Sequence, residues 1–144
     1  MICKVTEITR DIESNDEVLL DWFDMQKPNL CAITQNGIEF IVKAKYTHLH
    51  ENDILVCENG HKIKISKSED EIFTLTFTDH ITFARIAYEI GNRHQPVCIE
   101  DYKITILEDI STQDIIKACE SIDKVEVKKH RGIFKPNGNA HHSH

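Results

Sequence analysis

Two Asn-Gly steps constrain the first half of the chain more than any other feature. Asn36-Gly37 and Asn59-Gly60 each separate two apolar runs of strand length. Asn-Gly is preferred in two-residue hairpin turns because both central residues must adopt positive φ. In the run HKIKIS, isoleucines alternate with lysines, so one face is buried and the other meets water. These patterns predict a small antiparallel β-domain over residues 1–70.

A polar charged segment, KSEDE at 67–71, marks the predicted boundary between two domains. Beyond it, Asp79 is placed to cap a helix that runs through IAYEIGN. A second helix begins near Ser111, and Asp114 three residues later predicts a capping box. Strand patterns precede, separate and follow these helices in the order β-α-β-β-α-β, which is typical of a ferredoxin-like domain. The predicted fold class is therefore α+β, with a ferredoxin-like metal-binding and dimerisation domain at 71–134 and a flexible His-containing tail at 135–144.

Composition narrows the functional class. The formal net charge of −7 argues against nucleic-acid binding by the whole chain. No apolar run approaches the roughly 18 residues of a transmembrane helix, and the N-terminus lacks the pattern of a signal peptide, so we expect a cytoplasmic protein without a membrane partner. The five cysteines are scattered and odd in number. They are expected to be mostly buried free thiols rather than disulfides or a zinc site.

The segment Gly91-Asn92-Arg93-His94 carries the main functional hypothesis. Gly91 and Asn92 are expected to end the helix, which leaves a solvent-facing Arg93-His94 pair before Pro96. His94 would extend the apolar helix stripe Phe83, Ala87 and Ile90 by one turn. That stripe is expected to pack mostly on its own sheet. If its end also contacts a second subunit, two His94 imidazoles meet at the two-fold axis and can share a metal ion.

The remaining histidines fall into two groups. The last residues, AHHSH, form a short His-rich tract, which is a compositional signal of metal binding. His142 and His144 form the preferred chelating pair and His141 is a substitute, whereas a cloning remnant is the alternative explanation. A His-x-His at His48 and His50 suits weak metal binding, but a solvated loop is favoured. Surface positions are expected for His61 and His80, and the role of His130 stays open.

The segment IAYEIGNRHQPV, the hairpin and helix that follow it and the short His tail resemble the urease accessory protein E (UreE) family of nickel metallochaperones. The resemblance covers the whole chain in layout. It implies a homodimer that carries Ni²⁺ to the urease apoprotein together with other urease accessory proteins, including the accessory GTPase. It also implies that His94 binds nickel at the dimer interface and that His142 and His144, with His141, add ligands. The chain has Ile106-Leu107-Glu108-Asp109 where some family members carry further metal-binding histidines, so a second site is not expected.

Two other functions remain open at this point. One is a metal-independent interaction adaptor whose β-domain, which contains Trp22, binds a partner chain in urease maturation. The other is a general Zn²⁺ or Cu²⁺ buffer, because imidazole also suits these ions. No nucleophile elbow, phosphate-binding glycine loop or His-Glu-x-x-His motif is found, so an enzyme is not expected.

Overall fold

A computed structural model of the chain describes residues 2–43 and 48–138. The chain divides into two compact units, Met1–Ser68 and Glu69–His144. None of the helices in the described ranges combines the length and the apolar character needed to cross a membrane. The elements are β1 (Cys3–Thr9), β2 (Asp16–Leu20), α1 (Trp22–Gln26), β3 (Asn29–Ile33), β4 (Glu39–Lys43), β5 (Ile54–Cys57), β6 (Lys62–Lys67), β7 (Asp70–Phe77), α2 (His80–Asn92), β8 (Val97–Glu100), β9 (Lys103–Leu107), α3 (Gln113–Glu120) and β10 (Val125–Gly132).

The first unit is a six-stranded sheet in the order β2-β6-β5-β1-β4-β3. Both predicted hairpins are confirmed, since β3 pairs with β4 and β5 with β6 in antiparallel register. Gly37 and Gly60 have positive φ, at 83° and 88°, but Asn36 and Asn59 do not, so the expectation of positive φ at both central residues is wrong. The prediction of a purely antiparallel domain is wrong, because β1 runs parallel to β4 and β2 runs parallel to β6. Both parallel pairs join strands that are distant in sequence, and turn residues carry no information about them.

The strand β2, which begins at Asp16, is short. It ends at Leu20, and Asp21 caps the short helix α1 by accepting a hydrogen bond from the Asp24 amide at 2.8 Å. Helix α1 buries Met25 in the apolar core of the first unit, where Phe40, Ile63 and Ile65 are almost completely enclosed. The break between the units is shorter than KSEDE, because β6 includes Lys67 and β7 begins at Asp70.

The second unit contains a four-stranded antiparallel sheet in the order β10-β7-β9-β8, with α2 after β7 and α3 after β9. Its core joins the helices to the sheet through Ile86 and Ile90 of α2 and Ile115, Ile116 and Cys119 of α3. Asp79 caps α2 as predicted, accepting from the Thr82 amide at 2.9 Å and from its hydroxyl at 2.7 Å.

The predicted capping box at the second helix is wrong. Ser111 lies in a short 3₁₀ turn, Ile110–Thr112, and its hydroxyl donates to Asp109 at 2.6 Å. Helix α3 begins two residues after Ser111, at Gln113, with Thr112 as an N-cap that makes no side-chain capping bond. The Asp114 carboxylate instead binds Arg93, the residue that follows α2.

Residues 133–138, here called the strap, follow β10 and reach the free edge of β8. Phe134 is 1% exposed and anchors the strap in the unit. Gly138 forms an antiparallel bridge with Val97, the first residue of β8. Two residues of the predicted flexible tail, Asn137 and Gly138, are therefore bonded to β8. The part of that prediction that concerns residues 139–144 lies outside the described residues.

Candidate metal centre

The end of α2 places His94 in an unusual backbone conformation. Gly91 and Asn92 are the last helical residues, and Arg93 follows at φ −90°. The left-handed position belongs to His94 itself, at φ 55°, where its amide donates to the Gly91 carbonyl at 3.0 Å. A residue with a Cβ pays roughly 1–2 kcal/mol for this region. The predicted terminators Gly91 and Asn92 therefore do not end the helix through their own conformational freedom.

Arg93 is a tie between the two helices and not the solvent-facing residue predicted. Its guanidinium binds the Asp114 carboxylate in a bidentate manner, and its Nη1 also donates to the Ser111 carbonyl at 2.8 Å. The Asp114 hydrogen bond raises the pKa of Arg93, and Arg93 in turn lowers the pKa of Asp114. A planar fork on a carboxylate fixes direction as well as distance. The Arg93-His94 segment is thereby joined to the first turn of α3.

His94 is exposed and does not extend the apolar stripe of α2. Ile90 is 0% exposed in the core, but the helix ends two residues later and the chain leaves that face. Phe83 and Ala87 of the predicted stripe pack against the core from its margin. The consequence is that the His94 imidazole lies at the surface of the unit, available to an ion from outside.

Helix α2 has a second stripe that faces away from the core. Ile81 is 52% exposed and Tyr88 67%, and Ala84 lies exposed between them at helical spacing. Gly91 continues the same line, and a Cβ built on it would meet no atom within 4 Å. Of the two alanines on this helix, Ala84 is on this outer face, whereas Ala87 packs against the protein's own core. An apolar surface therefore lies on the helix that ends two residues before His94.

The other predicted ligands, His141, His142 and His144, lie outside the described residues. Within the part of the chain that the structure describes, no three His, Cys, Asp or Glu side chains are grouped so as to hold a metal. The described chain thus supplies a single exposed imidazole at this step, and a complete set of ligands requires donors from outside that part of the molecule.

Three of the remaining histidines can be placed by their contacts. His61 was expected on the surface, but its side chain is only 18% exposed and its Nε2 lies 2.8 Å from Oδ2 of the buried Asp16. His50 lies 3.7 Å from Asp53, and the Leu49 side chain between His48 and His50 is buried. His130 is exposed on β10, with its Nε2 2.7 Å from the Thr74 hydroxyl. His80 is exposed at the start of α2, as predicted.

The five cysteines are all free, and Cys3, Cys57 and Cys119 are buried as expected. Burial raises the pKa of both Cys57 and Cys119 to about 11, so these thiols stay protonated at neutral pH and are poor metal ligands. The expectation of burial fails for Cys31, which is exposed on β3 at the edge of its sheet.

Two side-chain contacts of the second unit were missed from the sequence. Asp114 was interpreted as a capping residue, and Asn137 as part of a polar tail. Their partners, Arg93 and Ile99, are 21 and 38 residues away in the chain, so no local pattern indicates either contact.

Comparison with known proteins agrees with this description. The profile of the family described as "UreE urease accessory protein, C-terminal domain" matches residues 70–144. The chain is similar to the urease accessory protein UreE of Aliarcobacter butzleri (strain RM4018), with 62% identity over 144 residues that cover 100% of this chain and 97% of the relative. It also resembles the UreE of Bacillus sp. (strain TB-90), with 24% identity over 142 residues, 98% of this chain and 96% of the relative. The chain belongs to the UreE family of urease accessory proteins.

Proposed function

We propose that the protein is a nickel metallochaperone of urease maturation, not an enzyme, which works in the cytoplasm as a homodimer and delivers Ni²⁺ to the urease apoprotein with the other accessory proteins, including the accessory GTPase. In this proposal Met1–Ser68 is the partner-binding domain, Glu69–His144 is a ferredoxin-like domain for metal binding and dimerisation, and the His tail adds ligands. Ni²⁺ is the cargo and not a resident cofactor.

The observation that carries the proposal is the exposed His94 imidazole, held at φ 55° directly after α2. Since its backbone is fixed by the helix end and by the neighbouring Arg93–Asp114 pair, only the side-chain torsions of His94 have to be ordered when it binds an ion. Imidazole is a good ligand for Ni²⁺. Fixed His94 donors and additional donors from the tail make an open site, from which the ion can be passed on.

The outer stripe of α2 supports the homodimer. Ile81, Ala84, Tyr88 and Gly91 form an apolar line that ends three residues before His94. If two copies associate through this face about a two-fold axis, residues near the end of each helix meet their own counterparts. Two His94 imidazoles then share one Ni²⁺, and the stoichiometry is one tightly held ion per dimer.

The test is titration calorimetry with Ni²⁺ on the intact chain and on His94→Ala. We expect the tight event to disappear, with a fall in affinity on the order of 100-fold, since changes that only disturb a metal ligand's surroundings already cost 10–100-fold. His80→Ala is the matched control, because it removes an exposed imidazole from the opposite end of the same helix. Tight binding retained by His94→Ala, or lost equally in the control, would reject the assignment.

An adaptor that acts without metal is the second candidate, and one observation favours it. The outer edge strand β3 exposes Ile33 by 61%, next to a shallow cavity of about 280 Å³ that is also lined by Ile2 and Cys31. An exposed apolar sheet edge can pair with an extended segment of another chain. Capture of the urease apoprotein by the intact chain in excess chelator would support the adaptor, whereas capture only with Ni²⁺ would support the carrier.

A Zn²⁺ or Cu²⁺ buffer is the third candidate, since imidazole ligands do not exclude these ions. Placement of the coding sequence beside urease genes would favour the nickel carrier over this reading.

A further inference from the structure

Helices α2 and α3 pack against one face of the sheet in the second unit, and the opposite face is polar. Leu75 of β7 and Ile104 of β9 are buried on the side of the helices. Because side chains alternate between the two faces along a strand, their neighbours point the other way. At the centre of that opposite face lie Thr74 and Thr76 of β7 and Thr105 of β9, and we call it the threonine face.

Two lysines flank these threonines on the neighbouring strands. Lys128 of β10 is in register with Thr74, and Lys103 of β9 is in register with Thr76. The two lysines are therefore separated by two inter-strand spacings and two residues along the strands, which places their Cα atoms about 12 Å apart. An extended lysine side chain is about 6 Å long. Both ammonium groups can thus reach one small ion that lies over β7.

A shallow cavity of about 430 Å³ lies on the threonine face. Its lining consists of Thr74, Thr76, Lys103, Glu126, Lys128 and His130. Most of these side chains end in hydrogen-bond donors, and only the Glu126 carboxylate is purely an acceptor. Within residues 2–43 and 48–138, the Thr76 hydroxyl and the Lys128 ammonium make no hydrogen bond or ion pair. These donors are therefore available to a ligand that offers acceptors.

The basic residues of β10 differ between the two faces of the strand. Lys129 and Arg131 point away from the threonine face, where Nζ of Lys129 lies 3.2 Å from Glu108 and Nη1 of Arg131 lies 2.9 Å from Glu71. Lys128 points to the threonine face and has no such carboxylate partner in the described part of the chain. The fold thus neutralises the positive charge of β10 on one face and leaves it in place on the other.

Thr74 is oriented by His130. The Thr74 Oγ1 lies 2.7 Å from Nε2 of His130. A hydroxyl has one hydrogen to donate and two lone pairs that accept. When Nε2 carries a hydrogen and donates it to Oγ1, the hydrogen of Thr74 is left to donate into the cavity. His130, whose role the sequence left open, is then a positioning residue for Thr74.

Two carboxylates lie close to these donors, and neither uses them up. Glu100 is 3.8 Å from Nζ of Lys103, and both side chains are about half exposed. A surface pair of this kind contributes little stability, so Lys103 can leave it for another anion. Glu126 is on the same face as Lys128 but forms no ion pair in the described ranges. Its charge opposes the binding of an anion, so its removal should make that binding tighter.

We propose that the threonine face binds an oxyanion of the phosphate class, with the Lys103 and Lys128 ammonium groups on either side of the ion and the Thr74 and Thr76 hydroxyls beneath it. A tetrahedral oxyanion offers acceptors in four directions and a charge that two lysines balance. A carboxylate is planar and offers two oxygens, so it uses fewer of these donors. The site does not include His94, and the inference does not rest on the proposed function.

The test is an NMR titration of the full chain, labelled with ¹⁵N and free of metal, with inorganic phosphate at neutral pH and constant ionic strength. We expect saturable shifts of the amide signals of Thr74, Thr76 and Thr105, whereas acetate should give small shifts without saturation. O-phosphoserine is the second probe. Tighter binding than that of inorganic phosphate would identify a phosphate ester as the ligand, and weaker binding would identify the free ion. Shifts that rise linearly with phosphate, or saturation by acetate at the same concentration, would overturn the proposal.

Four single changes locate the site. Lys128→Ala should weaken phosphate binding about tenfold and Thr76→Val about threefold, since each removes a hydrogen bond to the ion. Glu126→Gln should strengthen it about two- to threefold, because a like charge is removed. Lys129→Ala is the matched control on the opposite face of β10 and should leave the affinity unchanged. Equal weakening by Lys128→Ala and Lys129→Ala would show an unspecific effect of net charge, and no weakening by Lys128→Ala would remove the site; either result overturns the proposal.

Discussion

His61 in the first unit and His94 in the second both follow a tight reversal of the chain, but they differ in what holds them. His61 comes after Gly60, and its ring is bonded to Asp16, whose side chain is 0% exposed. His94 adopts the left-handed conformation itself, and the described bonds that fix it are made by its own backbone and by Arg93. A ring nitrogen that serves a buried carboxylate is used within the fold, whereas an exposed ring held through its backbone remains free for an external ion.

The surroundings of Asp16 show why His61 is used in this way. The carboxylate accepts hydrogen bonds from the amides of Glu17 at 2.8 Å and Asn36 at 3.2 Å, in addition to the contact with His61. It therefore joins the start of β2, the β3–β4 turn and the start of β6. A buried charge needs such partners, because an unpaired one is costly.

The largest expected effect that tests this comparison is loss of stability in His61→Ala. Removing one partner of a buried carboxylate costs about 1–3 kcal/mol, so we expect a lower urea midpoint for the first unit. Nickel affinity should be unchanged, in contrast to His94→Ala. His50→Ala is the matched control, since its side chain is 65% exposed and its pair with Asp53 is at the surface. A loss of nickel binding in His61→Ala would show that the two histidines are not separated by function.

The second prediction concerns the ion pair between Arg93 and Asp114, which joins the chain next to His94 to α3. Arg93→Lys keeps the charge but loses the bidentate fork on Asp114. A looser helix end should weaken nickel binding about three- to tenfold without abolishing it. Asp114→Asn should have a similar effect, and Arg85→Lys, at an exposed position of the same helix, should have none. If calorimetry showed an unchanged nickel affinity in Arg93→Lys, metal binding by His94 would not depend on the Arg93–Asp114 ion pair.

The smallest effect is expected on the stability of the first unit at acidic pH. Burial acts to raise the pKa of Asp16, but hydrogen bonds outweigh it and the pKa is lowered, with contributions from Thr34, His61, Glu17 and Asn36. The folded state therefore favours the carboxylate. The resulting stability is present above the unfolded pKa of about 3.9 and is lost as the pH falls through the lower folded value.

Asp16→Asn should remove this part of the pH dependence between about pH 5 and pH 3, measured as the urea midpoint of the first unit. Glu13→Gln, at an exposed position three residues earlier, should leave it in place. If the urea midpoint changed with pH in the same way in Asp16→Asn and in the unchanged chain, the role assigned to the Asp16 carboxylate would be contradicted.

Features that depend on neighbouring residues could be predicted from the sequence. The two Asn-Gly hairpins and the Asp79 cap involve groups two to four residues apart, so residue type alone indicates them. The exposed His94 was found through the motif around it. The reason given for the helix end was wrong, because Gly91 and Asn92 remain helical and Arg93 is tied to α3.

Features that depend on distant partners could not be predicted. The parallel pairing of β1 with β4 and the bond from Asn137 to Ile99 join segments 37 and 38 residues apart, and neither has a local pattern. Asn137 lies among Pro, Gly and Asn residues, a composition that is typical of a tail. Only the position of the β8 edge gives its amide a partner.

The closed edge of β8 has a further consequence for how this protein survives in solution. A bare outer strand offers unsatisfied amides and carbonyls to any similar strand nearby, and such edges are where sheets of different molecules fuse into aggregates. Asn137 and Gly138 occupy these groups on Val97 and Ile99. Loss of the strap would therefore be expected to lower the solubility of the protein during expression.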